Sequence, residues 1–201
     1  PLDVMLVASA NPEDYTNRGR IITPLKDRFG AEIRTHYPLE LDAEVAVIDQ
    51  EAELQATVPT YLLEVLARFT RLLRESPSVD QRSGVSARFA IAAAETIAAA
   101  AVHRAAILGE AEPVARPVDL GTIIEVLRGK VEFESGEEGR EIEVLEHMLR
   151  RATADTVRAH LGGINLAALV TAIETGEPIV TGDRITAKAL LDELPDVEVI
   201  G

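Results

Sequence analysis

Three residues stand where their side chains suit chemistry on a phosphate: Asn11, Arg28 and Arg88. Asn11 follows the apolar run Leu2–Ala8, and a carboxamide offers both a donor and an acceptor. At the end of a buried strand it would hold a water in line with a phosphate, since ligands of open α/β sheets bind at that edge. Arg28 lies in Pro24-Leu25-Lys26-Asp27-Arg28-Phe29-Gly30, where a short helix is expected between Pro24 and Phe29. Its planar guanidinium matches phosphate charge. Arg88 opens a long Ala-rich helix, where the helix dipole favours anions rather than cations, so it is better placed to meet an anion than to cap a helix. Each residue also has an ordinary use: Asn11 before Pro12 as a turn, Arg28 as a surface cation near helix-end carbonyls, Arg88 as a solvated side chain. Arg20 suits phosphate or subunit contact equally.

The elements that must position these groups follow from the apolar pattern. Leu2–Ala8 is continuous rather than alternating, which predicts a strand covered on both faces. One strand makes no sheet. Its partners are expected from Glu32–Tyr37, Pro178–Val180, Val197–Ile200 or sequence outside these residues, so the chain is expected to begin inside a domain. From Asp42 onward the pattern turns helical: Asp42 to about Ala56, Pro59–Arg74 with Leu62, Val65, Leu66, Phe69, Leu72 and Leu73 on one face, and Val85–Leu108. Glu110–Pro117, with two prolines, reads as a linker. Further stripes follow at Leu120, Ile123, Ile124 and Leu127, then Ile142, Leu145, Leu149, Ala152 and Val157, then Ile164, Leu166, Leu169, Val170 and Ile173. Thr186 is a candidate cap for a last short helix.

The order of the pieces carries a resemblance. A strand ending in Ser9-Ala10-Asn11-Pro12-Glu13-Asp14-Tyr15, then Ile22-Thr23-Pro24-Leu25-Lys26-Asp27-Arg28-Phe29-Gly30, then Ser83-Gly84-Val85-Ser86-Ala87-Arg88 opening a long helix, resembles the sensor-1, arginine-finger and sensor-2 series of AAA+ ATPases of the magnesium-chelatase and MoxR branch. The motifs span roughly residues 1–105. The resemblance implies a mainly α chain: the C-terminal remnant of an AAA+ α/β core at 1–41, a helical lid domain at 42–112 and a C-terminal helical extension at 113–201. It implies sensor 1 at Asn11, an arginine finger acting in trans at Arg28, and a nucleotide-contacting sensor 2 at Arg88. It further implies ATP and Mg²⁺ in a full-length parent, a homo-oligomeric ring, expected to be a hexamer, and partner or chelatase subunits that are remodelled or receive metal. No G-x-x-x-x-G-K-[ST] occurs, and no apolar strand ends in an Asp-Glu pair. The 201 residues alone are therefore expected neither to bind nucleotide tightly nor to hydrolyse it.

Composition bounds the alternatives. The chain is 47% hydrophobic, 27% charged and 3% aromatic, without Trp or Cys, so its core is aliphatic and disulfides and thiolate metal sites are excluded. A net charge of −14 argues against nucleic-acid binding and against an anionic membrane surface. No apolar run reaches the ~18 residues of a membrane span, and Glu95 interrupts Ala90–Ala101. Cysteine absence and the lack of a basic leader fit a cytoplasmic chain. His36, His103, His147 and His160 lack paired ligand spacing, so no metal site is expected. The acidic cluster Glu132, Glu134, Glu137, Glu138 and Glu141 reads as a solvated face. It also supports the alternative function, a non-catalytic acidic helical protein-interaction module.

Overall fold

The computed structural model describes residues 3–9, 28–80, 83–162, 179–180 and 199–200. The chain is mainly α-helical, as expected. The helices are α1 (Leu41–Glu51), α2 (Thr60–Glu75), α3 (Ala87–Leu108), α4 (Ile123–Arg128) and α5 (Glu141–Leu161), with 3-10 turns at Pro117–Thr122 and Ser135–Glu137. Two compact units divide the chain, one ending at Thr156 and the other beginning at Val157. The expected boundaries after 41 and after 112 both fall inside the first unit.

The first unit is organised around α3. Alanines at 90, 93, 94, 98 and 101 bury one side of it, and their small side chains let α1, α2 and α4 approach closely. The apolar stripe of α2 is buried as its spacing predicts, with Leu62, Val65, Leu66, Phe69 and Leu73 fully inside. The Phe69 and Phe89 rings meet at 5.5 Å and 53°, a tilted geometry that suits the aromatic quadrupole. Leu120, Ile123, Ile124 and Leu127 join the same core. So do Leu145, Leu149 and Ala152 of α5. The last member of that α5 stripe is Thr156 rather than Val157. Seven residues from Leu149 make two full turns, whereas Val157 lies a further 100° round and is 41% exposed. The Thr156 hydroxyl donates to Ala152 O at 3.0 Å, which makes its burial tolerable.

Several expectations are corrected. Residues 3–9 form no strand, and Val4, Met5, Leu6 and Val7 are 72–89% exposed. Among the described residues no strand pairs with them, and an unpaired strand has no ladder to hold it. Glu32–Tyr37 is likewise irregular and exposed. Arg28–Gly30 forms a turn, and the rest of the helix expected at Pro24–Phe29 lies outside the described residues. α1 begins after Glu40 and stops at Glu51, because Ala52 turns extended (ψ 133°). From there Ala52, Leu54, Ala56 and Val58 pack on the core at period two, the signature of an extended segment rather than a helix. Thr57 then bridges Val114 through Thr57 N–H to Pro113 O (3.0 Å) and Ala115 N–H to Thr57 O (2.8 Å). The segment expected to be a plain linker is thus stitched to the core.

In the second unit Ile179–Val180 and Val199–Ile200 pair in parallel, Ile179 with Val199 and Val180 with Ile200, at the two late segments expected as strands. The stripe from Ile164 and the Thr186 cap lie outside the described residues. α3 is also long and apolar enough to cross a membrane by length and composition, although no uncharged run in the sequence reaches that length. Its buried face lies against the other helices.

Candidate functional site

Asn11 and Arg20 lie outside the described residues. Arg28 is exposed in the Arg28–Gly30 turn, and Arg88 is exposed in the first turn of α3. Neither side chain makes an ion pair or hydrogen bond among the described residues, and no contact joins the two. What the structure builds is the setting of Arg88. Ser86 is the N-cap of α3, yet its hydroxyl makes no capping bond, and the first turn holds no acid. The amide groups there have no side-chain acceptor, so the positive end of a 22-residue helix meets solvent beside a guanidinium. Gly84 at φ 66° turns the chain into this helix, a conformation that favours glycine.

The loop before α3 is fixed from two sides. On one side the acidic segment holds it. Asp80 N–H donates to Glu132 O at 2.9 Å, Glu134 N–H to Ser78 O at 3.0 Å, and Val79 bridges Phe133. Ser78 Oγ donates to Glu137 Oε1 at 2.8 Å, and the Ser83 hydroxyl donates to the Glu132 carboxylate. Glu132 and Glu137 are therefore engaged rather than merely solvated, which corrects the reading of the whole cluster as a free charged face. The Glu141 carboxyl is held below its usual value by its own N–H and that of Gly139, which outweigh burial, with the Arg128 charge adding to them.

On the other side stands Arg74. Its Nη1 is 2.7 Å from Glu44 Oε1, its Nε donates to Val85 O at 2.8 Å, and its guanidinium carbon sits 3.8 Å from the centre of the Tyr37 ring. Glu44 is 3% exposed. Sequence reasoning passed over this group, although a signal existed: Leu41, Glu44, Val45 and Ile48 share one face of α1, and a carboxylate inside an apolar stripe requires a cation.

A second buried polar group lies at the far end of α3. Arg104 grips Asp119 with two bonds, Nε to Oδ1 at 3.1 Å and Nη2 to Oδ2 at 2.9 Å. It also donates to Val114 O at 2.7 Å and pairs with Glu110 at 3.1 Å. Burial raises the Asp119 carboxyl, but the Arg104 bond, the Arg116 N–H and the charges of both arginines outweigh it and hold the group below its ordinary value. Every acceptor here is used inside the chain, so the group welds the 110–119 segment to α3.

Two clefts open on the first unit. One of about 480 Å³ is lined by Asp80, Arg128, Val131, Phe133, Glu134, Ser135, Glu138 and Glu141. The other, about 320 Å³, lies among Glu40, Arg68, Arg71, Glu75 and Asp155. Neither Arg28 nor Arg88 lines either cleft. Among the described residues no group of three His, Asp or Glu side chains could hold a metal ion. No family model, no curated protein and no solved structure matches the chain.

Proposed function

We propose that the chain is the C-terminal sensor and lid region of an AAA+ ATPase of the magnesium-chelatase and MoxR type. In this reading it couples ATP hydrolysis to remodelling of, or metal insertion into, a partner within a cytoplasmic homo-oligomeric ring. The observation that carries it is the exposed, unpaired Arg88 at the uncapped, acid-free start of α3. Helix amides and a guanidinium together attract a phosphate. The ordered series Asn11, Arg28, Arg88 supports the same reading. ATP and Mg²⁺ would be cradled by a phosphate loop that these residues do not contain. Asn11 would position the attacking water, Arg28 would reach the nucleotide of a neighbouring subunit, and Arg88 would contact phosphate from the lid.

The test is ATP turnover in a protein that joins this chain to its phosphate-binding loop. Arg28→Ala is expected to lower kcat on the order of 10³-fold, the scale of an arginine finger, while nucleotide still binds. Arg88→Ala is expected to weaken nucleotide binding as well. Unchanged turnover in both variants would remove the reading. The acid-lined cleft of about 480 Å³ favours the second reading, a docking module for a basic partner, in that event.

A further inference from the structure

One guanidinium touches three separate stretches of chain. Arg74 belongs to the last turn of α2 and its side chain is 11% exposed. Tyr37, whose ring covers it, lies in the irregular stretch that runs from Arg28 to Glu40, just before α1. Glu44, its ion-pair partner, stands on α1. Val85, whose carbonyl accepts from Nε, is three residues before Arg88. The pairing with Glu44 is not built for strength alone. It uses one oxygen and one terminal nitrogen, while Glu44 Oε2 and Arg74 Nη2 are buried without a partner. A buried pair with an idle donor and an idle acceptor is a poor source of stability compared with apolar packing. What arginine supplies here, and an aliphatic side chain or lysine does not, is a flat cation that meets an aromatic face while its edge serves a carboxylate and a carbonyl at once.

We infer that Arg74 is a positioning residue that couples the segment carrying Arg28 to the segment carrying Arg88, with the Tyr37 ring as the contact through which one is felt at the other. The functional meaning of the coupling rests on the sensor reading of those two arginines; the coupling itself does not. In an assembled ring it would make the placement of the trans-acting arginine and of the lid arginine interdependent.

Hydrogen exchange on the chain tests the coupling directly. The amide of Gly84, bonded to Asp80 O at 3.3 Å, and that of Phe89, bonded to Ser86 O at 3.0 Å, report on the loop and helix start. Tyr37→Leu removes a half-exposed ring and leaves the core intact. It is expected to speed exchange at 83–90 by roughly three- to tenfold, the scale of a cation–π contact, with Tyr37→Phe restoring wild-type rates. Changes confined to residues 35–40 would overturn the inference. ATP turnover of Arg74→Lys, measured beside Arg28→Ala and Arg88→Ala, separates the two ideas. If those two alanine variants lower turnover and Arg74→Lys does not alter kcat, the coupling has no role at the site and the inference fails there. If they do not lower it, the sensor reading fails while the exchange result still decides the coupling.

Discussion

Asp119 shows how much one carboxylate can be asked to do when its acceptors are all filled. Because its folded-state pKa is depressed, its contribution to stability is fully present above the unfolded value of about 3.9 and disappears as pH falls through the folded value. Asp119→Asn is therefore expected to be less stable than the parent chain at pH 6, with the gap closing as both are titrated below about pH 4; urea midpoints across that range check it. A gap that stays constant with pH would mean the loss is packing alone. The residue could not be singled out in the sequence, because Arg104 and Asp119 are fifteen positions apart and only the fold of the 110–119 segment brings them together. Arg74 and Glu44 were hidden for the same reason, although Glu44 on an apolar stripe offered a clue. Arg28 and Arg88 were legible as types in a sequence order, while their exposure and their freedom from partners had to come from the structure.

Among the elements, the helices α2 and α3 followed from apolar spacing because packing and propensity agree along them. Ends were harder. α3 stops at Leu108 because Gly109 adopts φ 70°, letting the N–H groups of Gly109 and Glu110 both reach Ala105 O. A Cβ there would meet no atom within 4 Å, so the cost of Gly109→Ala is backbone strain alone, about 1 kcal/mol. Thermal melts should show a shift of that size; a loss several-fold larger would point to a clash the geometry does not contain. α1 ends earlier than its composition suggests because Ala-Glu-Leu-Gln-Ala suits a helix by propensity, while its alternation of apolar and polar residues suits the extended path it takes. The two early strands failed for a different reason. Apolar content states that a segment prefers burial, and a strand also needs a neighbour to complete its hydrogen bonds.

For the first unit as a whole, one aliphatic core receives side chains from α1 through α5. Phe69 belongs to it with no exposed surface and packs its ring against that of Phe89. Phe69→Ala is expected to cost about 3–5 kcal/mol. Because the helices share this core, amide protection in α5 should fall together with that in α2. Loss in α2 alone would show that α5 is held by something else. The chain has no tryptophan, and this gives the Tyr37 contact an optical consequence. An indole introduced by Tyr37→Trp would be the sole long-wavelength emitter in these 201 residues. Seated against the Arg74 cation, it would turn the joint between the Arg28 segment and the start of α3 into a colour change that can be followed in real time.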